Sequence, residues 1–346
     1  MPPFCIHVFN VDHGDSIILE LPDNNWAVVD CYKTGAQIES PALTFLKEKK
    51  VERLKFVCLT HPHFDHFHGM LEIFKYFSSD ERGIEYFWGF GIGKKELKYF
   101  KNQFGTKQEY RELRDLYDFI IKKAKDKRIK YRILGEGTDC LNIESLKIKS
   151  YAPISRDVLE YFEKWGGDRT RTKDENLLSV VLIITYGDTN VVLGADTISW
   201  KEILKAWSED CEREIRKLRF HFVKVSHHGS KDGNHEELWN SFTEGEKSVA
   251  VISTGFKYGL PHKDTIASIV SAKVKLYSTN FRDFSKSVSG GDIDKYVQKR
   301  LTREALEAST LPVEEIIPPY HGNCSIIVKD NGECLISPQF DRPPIS

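Results

Sequence analysis

The sequence lacks three features, each of which would indicate a particular class of protein. No run approaches the roughly 20 apolar residues of a membrane-spanning helix, and residues 1–5 show neither the basic start nor the apolar core of a secretion signal. The 7 cysteines are widely separated and include no Cys-x-x-Cys pair. We therefore expect a cytoplasmic protein without membrane contact, disulfide framework or thiolate zinc site.

An excess of one charge is also missing. The 50 lysine and arginine residues nearly balance the 51 aspartate and glutamate residues, which gives a formal net charge of -1. Attraction to a polyanion therefore has to come from a local patch rather than from the whole surface. The length of 346 residues suggests about two domains, although some α/β folds run longer as one, and no internal repeat or low-complexity linker divides the chain.

The apolar periodicity predicts a succession of short strands and helices. Short alternating runs over Cys5–Asn10, Ser16–Leu21 and Trp26–Asp30 predict an antiparallel meander, and Ser40 followed by Pro41 predicts a helix start. Helices are also predicted within residues 94–132 and over residues 198–218 and 281–311. Further strands are predicted over Leu54–Leu59, Leu146–Tyr151, Leu178–Tyr186, Val191–Gly194, Phe222–Val225, Val249–Ser253, Val274–Tyr277, Cys324–Val328 and Glu333–Ser337.

A histidine-rich array directly follows the strand predicted over Leu54–Leu59. Its pattern is His-x-His-x-Asp-His, and imidazole and carboxylate are ligand types that suit zinc. The first two histidines can point from a loop to one ion, while the aspartate and last histidine can reach a second. Two further ligand-like residues end strands downstream. The six candidate metal ligands are His61, His63, Asp65, His66, Asp196 and His227.

The order of these motifs resembles that of the metallo-β-lactamase superfamily. Five segments more closely resemble the soluble hydrolase domain of ComEC-type competence proteins and their freestanding relatives: Val11–Ser16, Asn176–Leu182, Ser226–Ser230, Ile252–Gly255 and Pro261–His262. The resemblance runs from Phe4 to about Ser337, with apparent helical insertions near residues 80–145 and 281–318. It implies a single domain over residues 1–346 with an αββα sandwich fold, in which helices flank two mixed β-sheets and the metals lie at one edge.

The resemblance also implies a role for each candidate residue. His61 and His63 would bind the first metal, Asp65, His66 and His227 the second, and Asp196 would bridge the two. Asp30 and Asn176 are expected behind the ligands, where they hold them in place. His68 stands where the commoner pattern has glycine, and we expect it to lie at the surface or behind the ligands.

One histidine of the family pattern is missing. Many members place a third ligand of the first metal shortly before the strand that corresponds to Leu178–Tyr186, but residues 173–176 here read Lys-Asp-Glu-Asn. Either Asn176 or Glu175 substitutes for it, or the first site is weak and fills only with substrate present. Ligand type does not separate the metals, so we expect zinc, with manganese as the alternative.

The chemistry of such a site suits phosphodiester hydrolysis. A bound divalent metal lowers the pKa of water from about 16 to about 7, and two ions together stabilise the attacked and leaving oxygens. The ComEC-type resemblance implies a nuclease in which Asp65 takes part in the reaction. His228 and His262 are candidates for binding the phosphate or protonating the leaving oxygen, and the alternative for each is a packing role in a loop.

Residues 94–132 are rich in lysine and arginine and offer a local basic patch. They can track a nucleic-acid backbone, for which we expect DNA rather than RNA, or simply be solvated while their aromatic side chains pack inward. A protein partner can also dock on the insertions. The alternative functions are a hydrolase of a cyclic nucleotide, ester, lactone or thioester, and a nonenzymatic binding module. Retention of all six candidate ligands argues against the binding module.

Overall fold

The computed structural model describes residues 4–35, 37–79, 81–90, 107–163, 175–210, 219–242, 248–253, 260–279 and 323–339. The strands are β1 (Phe4–Val8), β2 (Ser16–Leu21), β3 (Asn25–Cys31), β4 (Arg53–Leu59), β5 (Gly83–Phe90), β6 (Lys130–Leu134), β7 (Thr138–Ile143), β8 (Leu146–Ala152), β9 (Val181–Tyr186), β10 (Thr189–Leu193), β11 (Phe222–Lys224), β12 (Val249–Ile252), β13 (Lys275–Ser278), β14 (Asn323–Val328) and β15 (Cys334–Gln339). The α-helices are α1 (Pro41–Glu48), α2 (Phe64–Phe67), α3 (Met70–Tyr76), α4 (Lys107–Lys125), α5 (Ser155–Glu163), α6 (Trp200–Asp210), α7 (Glu236–Asn240) and α8 (Lys263–Ser271).

The strands form two mixed sheets. The first has the order β15-β14-β1-β2-β3-β4-β5-β6, and the second has the order β13-β12-β11-β10-β9-β8-β7. In each sheet, an antiparallel part meets a parallel part. β3 is the first strand to pair in parallel, with β4, and β10 pairs in parallel with β11. The expectation of an α/β fold with two mixed sheets is confirmed.

The two sheets share one hydrophobic core. Alternate residues of β9 point to opposite faces, as the strand geometry requires: Leu182 and Ile184 join the cluster that contains residues of both sheets. Val181 and Ile183 instead join a second cluster with side chains of α6 and α8. The second sheet is therefore covered by the first sheet on one face and by helices on the other.

Helix α4 covers the first sheet. Its side chains Leu113, Leu116, Tyr117 and Ile120 are buried in the main core, because positions three and four apart share one face of a helix. None of the helices among the described residues has the length and apolarity needed to cross a membrane. The described cysteines are free thiols.

The structure differs from the sequence-based expectation in the region from 80 to 145. That region was expected to be a helical insertion, but β5 and β6 extend the first sheet in parallel beyond β4, and β7 pairs with β8 in the second sheet. α4 is the crossover between β5 and β6. Phe87 and Trp88 of β5 are fully buried, so the strands are part of the core. The helical insertion expected near residues 281–318 lies outside the described residues.

Candidate metal centre

The candidate ligands meet because parallel strands end at the same edge of each sheet. Asp30 lies at the end of β3, and Thr60 and His61 follow β4, which runs parallel to β3. In the second sheet, Asp196 follows β10 and His228 follows the parallel strand β11. The carboxyl ends of these four strands therefore place the side chains in one cluster.

Asp30 anchors the histidine loop from below. Its two oxygens accept hydrogen bonds from the Thr60 amide at 2.8 Å, from the Thr60 hydroxyl at 2.6 Å and from His66 Nδ1 at 2.7 Å. Asp30 is 1% exposed. Since the carboxylate accepts the proton on His66 Nδ1, Nε2 is the nitrogen that faces the cluster, and it lies 3.4 Å from Asp196 Oδ2.

The Thr60 hydroxyl orients His61 so that its Nε2, like that of His66, faces Asp196. Because this hydroxyl donates to Asp30, it accepts from His61 Nδ1 at 3.1 Å and leaves the lone pair of His61 on Nε2. His61 Nε2 lies 3.0 Å from His63 Nδ1. His63 Nε2 in turn faces Glu175 Oε2 at 3.5 Å, which favours a proton on that nitrogen. The two facing nitrogens of His61 and His63 form a hydrogen bond, and the protonation of His63 decides which of them donates.

His228 completes the set. Its Nδ1 donates to the carbonyl oxygen of Ser253 at 3.2 Å, which directs Nε2 at the carboxylates. This atom lies 3.3 Å from Asp65 Oδ2 and 3.5 Å from Asp196 Oδ2. Asp196 Oδ2 thus has three imidazole nitrogens within 3.7 Å, from His61, His66 and His228. That is the central position expected for a bridging carboxylate.

The structure exchanges the places expected of the two adjacent histidines. His227 was expected at the carboxylates, but its Nε2 instead lies 3.3 Å from Asn176 Nδ2, and His228 faces Asp65 and Asp196. The cause is local: β11 ends at Lys224, and a 3-10 turn over Ser226–Gly229 gives both histidines positive φ angles. The turn redirects successive side chains, which a prediction of strand up to Val225 does not anticipate.

The other predicted residues lie around this cluster. Asn176 is buried and contacts His227, whereas Glu175 faces His63. Among the described residues, Glu175 belongs to none of the histidine–carboxylate groups whose ligand atoms lie within 4.8 Å of one another. His68 likewise belongs to none; it contacts Glu112 of α4 and stacks on Phe64.

His262 begins α8. Its Nδ1 accepts a hydrogen bond from the Asp264 amide at 3.2 Å, and its backbone amide donates to the Gly229 carbonyl at 2.8 Å. These contacts hold α8 against the turn that carries His228, and the side chain stays 35% exposed. A role of His262 toward phosphate remains a prediction.

The structure adds His13 to the cluster, a residue to which the sequence assigned no role. His13 Nε2 lies 3.1 Å from Asp65 Oδ2, and its ring packs 4.4 Å from that of His228. His13 lies within Val11–Ser16, and this segment was the available signal. In the same segment, Asp15 forms a buried ion pair with Lys224 at 2.8 Å, below the cluster.

Four of the eleven described non-glycine residues with positive φ angles belong to or adjoin the cluster. Asp30, Ala195, His227 and His228 all have φ angles between 44° and 55°, a conformation that costs non-glycine residues of order 1–3 kcal/mol each. Such strain persists only where surrounding contacts fix it. At these four positions the contacts of the cluster fix the strained backbone.

The carboxylates and imidazoles of the cluster shift each other's pKa values. Burial opposes ionisation of Asp196, but His228 and His66 outweigh it and hold the pKa of this carboxyl well below its usual value. Burial similarly opposes ionisation of Asp65, and His13 and His228 reverse it, so that its pKa is also lowered. Burial and the neighbouring imidazoles lower the pKa of His61. Burial opposes protonation of His66 and His228, but Asp196 and the neighbouring carboxylates outweigh it and raise the pKa of both imidazoles. In the metal-free cluster the anionic carboxylates are therefore paired with protonated imidazoles, which release their protons when a metal binds.

The residues fit one or two divalent metal ions. His66 Nε2, His228 Nε2 and Asp196 Oδ1 are buried without a hydrogen bond, which is costly unless a cation satisfies them. In a tetrahedral site with zinc–nitrogen bonds of 2.0–2.1 Å, two ligand atoms are about 3.3 Å apart. The candidate ligand atoms here are separated by 3.0–3.7 Å, a range that includes this value. The ligand types suit zinc, and they do not exclude manganese.

Comparison with known proteins gives distant structural likenesses. The metallo-beta-lactamase fold protein YhfI from Bacillus subtilis is 12% identical, with a TM-score of 0.41 over 82% of this chain and 91% of that one. A diphosphatase of the PhnP family is 10% identical, with a TM-score of 0.41 over 96% and 99% of the two chains. Zn²⁺-bound PqqB from Methylobacterium extorquens is 10% identical, with a TM-score of 0.43 over 78% and 97%. No curated protein matches the sequence.

A family model gives the assignment that these likenesses do not. The model of the metallo-beta-lactamase superfamily matches residues 10–244, which extend from the start of the His13 segment to beyond His228. The match covers more than half of the chain and contains all of the clustered histidines and carboxylates. The chain therefore belongs to the metallo-β-lactamase superfamily.

Proposed function

We propose that this protein is a metal-dependent hydrolase of phosphodiester bonds that acts on nucleic acid, with DNA as the preferred polymer. The superfamily consists mostly of metal-dependent hydrolases. The observation that carries the proposal is the convergence of five side chains with oriented ring nitrogens or negative charge on one point: His61, His66, His228, Asp65 and Asp196.

The ions that fit this cluster would be held by His61, His63 and Asp196 on one side and by Asp65, His66, His228 and Asp196 on the other. Here His228 takes the place first assigned to His227. When bound, such ions acidify a water molecule and stabilise the attacked and leaving oxygens of a phosphodiester. Zinc is the proposed metal and manganese the alternative.

The chain's own residues fix this arrangement in advance. Asp30 and Thr60 hold two imidazoles with Nε2 directed at Asp196, and the Ser253 carbonyl does the same for His228. This preorganisation means that few side chains need to reorient during a reaction. His262 projects from the neighbouring helix start and is partly exposed, so it remains our candidate for contacting a phosphate.

The basic end of α4 leads into the amino end of β6, at the edge of the first sheet opposite the strand ends that carry the cluster, so only a long polymer could contact both. Lys122, Lys125, Lys127 and Arg128 are exposed, and they follow Glu112, which contacts His68 beside the metal loop. Lys122 is ten residues beyond Glu112, or about 15 Å along the helix. A backbone of several phosphates can span that distance, whereas a small ester cannot.

Part of the basic stretch does not contribute to this argument. The apolar side of α4 is buried in the core, in line with the view that this face packs inward. Tyr110 is partly buried, and Tyr99, Phe100 and Phe104 lie outside the described residues. The proposal therefore rests on phosphate contacts rather than on stacking with bases.

A cleavage assay tests the proposal. Metal-stripped protein is supplied with zinc or manganese and incubated with labelled single- and double-stranded DNA and RNA. Asp196→Ala serves as the inactive variant. We expect metal-dependent cleavage of DNA by the wild type alone.

Two other outcomes would change the assignment. Equal cleavage by wild type and Asp196→Ala would show that a contaminant or another site is responsible. Turnover of a cyclic nucleotide, ester, lactone or thioester with every polymer intact would contradict the nuclease proposal and favour a small-molecule hydrolase.

A further inference from the structure

The segment Val11–Ser16 is fixed against the metal loop by its backbone. The Asp15 amide donates to the Asp65 carbonyl at 3.0 Å. Gly14 has a φ angle of 122°, and a Cβ atom there would lie 2.4 Å from the Asp65 carbonyl oxygen. The two segments therefore approach each other at a distance that only glycine permits. One residue before this contact, His13 is placed over the Asp65 side chain.

The side chain of His13 reaches the same carboxylate oxygen as His228. His13 Nε2 is 3.1 Å from Asp65 Oδ2, and His228 Nε2 is 3.3 Å from the same atom. One ligand atom from each of the three residues lies within 4.8 Å of the others. The side chain of His13 is 17% exposed, so this imidazole stands at the open side of the cluster.

The two halves of the centre differ in their number of donors. The half at His61 and His63 has Asp196 in addition and can share only His66, whose ligand atom lies within 4.8 Å of those of His61 and Asp196, because Glu175 faces His63 and Asn176 contacts His227. The other half has four donors from the positions assigned above, and His13 is next to them. The first half thus lacks the third histidine of the family pattern, whereas the second half has His13 as an additional imidazole.

We propose that His13 is a further metal ligand, and that it makes the Asp65 half of the centre the tighter of two unequal cation sites. The proposal rests on the proposed function, because it requires that the cluster bind metal. The ligand set of the tight site is then His13, Asp65, His66, Asp196 and His228. The weaker site is at His61 and His63.

A cobalt titration of the full-length, metal-free protein tests this inference. Co²⁺ is followed by calorimetry and by its visible absorption, which responds to the number and type of ligands. We expect two binding phases for the wild type. Removing a group that merely orients a ligand weakens metal binding by about 10–100-fold, so His13→Gln is expected to weaken the tight phase by at least about tenfold and to change its spectrum.

Glutamine separates a ligand from a hydrogen-bond donor. Its amide can still donate to Asp65 but does not replace an imidazole on a metal ion. Asp12→Asn is the matched control on the same loop: Asp12 is exposed with a φ angle of 58°, and asparagine tolerates that conformation. We expect the control to bind Co²⁺ as the wild type does.

A second variant keeps the test decisive if His13→Gln folds poorly. His13→Ala removes the ring entirely, and free imidazole added to it is expected to restore the cobalt spectrum. Unchanged cobalt affinity and spectrum in His13→Gln, or no response of His13→Ala to imidazole, would overturn the inference alone. A wild type that binds no Co²⁺, Zn²⁺ or Mn²⁺ would overturn the proposed function as well.

Discussion

At the scale of single residues, Asp30 controls the orientation of the site. One buried carboxylate accepts from the Thr60 amide, the Thr60 hydroxyl and His66 Nδ1. The Thr60 hydroxyl in turn accepts a hydrogen bond from His61 Nδ1 and so fixes the orientation of this second imidazole. A single residue outside the proposed ligand set thus fixes which nitrogen of two imidazoles faces Asp196.

We predict that Asp30→Asn weakens metal binding without removing a ligand. The amide cannot accept from both Thr60 and His66 as the carboxylate does, so the two imidazoles lose their fixed orientation. The expected loss in zinc affinity is about 10–100-fold, measured by competition with a chelator of known affinity. Asp23→Asn is the control, because Asp23 is an exposed turn residue with a positive φ angle. Equal affinity of wild type and Asp30→Asn would contradict the orienting role.

At the scale of elements, the loops carry the chemistry and the strands hold them. We predict that Gly14→Ala displaces the loop that carries Asp65, because the added Cβ would meet the Asp65 carbonyl at 2.4 Å and φ is 122°. The expected result is a loss of metal affinity together with a fall of about 1–3 kcal/mol in the free energy of unfolding. Chemical unfolding of the metal-free protein measures the second effect.

Gly35→Ala is the control for this variant, since a Cβ at Gly35 has no atom within 4 Å. If both alanine variants bind metal and unfold as the wild type does, the close approach of the two segments has no functional consequence.

A second prediction concerns the basic end of α4. Replacing Lys122, Lys125, Lys127 and Arg128 by glutamine removes four exposed cations. If these residues bind phosphates, DNA affinity falls and the slope of log K against log salt becomes shallower by about 0.9 for each phosphate that is no longer neutralised. Fluorescence anisotropy at several salt concentrations measures both. An unchanged slope would mean that these charges are only solvated.

The elements also show what a single sequence can reveal. Alternating apolar residues and the Ser40–Pro41 start predicted β1 to β4 and α1 closely, because these elements have one clear periodicity or cap. β5 was missed, since Gly83–Phe90 carries no alternation and lies beside a charged stretch. The exchange of His227 and His228 depends on a turn with two positive φ angles, which residue types alone do not specify.

At the scale of the whole molecule, a buried ion pair joins the two sheets beneath the site. Lys224 ends β11 of the second sheet, and Asp15 precedes β2 of the first; the two side chains are 0% and 1% exposed. Because the site draws residues from both sheets, their relative position sets its geometry. The sequence contained both residues, but their contact spans 209 positions and depends on the packing of the sheets.

We predict that Lys224→Met destabilises the metal-free protein by about 3–5 kcal/mol, because it leaves Asp15 charged and buried without its partner. Chemical denaturation in the presence of a chelator measures this change. Combining Lys224→Met with Asp15→Asn is expected to recover part of the loss. A decrease below about 1 kcal/mol, the range of exposed pairs, would show that the pair is not needed to hold the sheets together.

The central claim concerns the whole molecule: the two sheets together build a divalent metal centre around Asp196. The most direct measurement is the metal content of the purified chain after equilibration with Zn²⁺ and then Mn²⁺, by plasma mass spectrometry, with Asp196→Ala and the exposed-turn control Asp188→Ala in parallel. We predict one or two ions per chain for wild type and control, and a clear loss for Asp196→Ala. A wild type that retains no metal, or an Asp196→Ala variant that retains as much as wild type, would contradict the account.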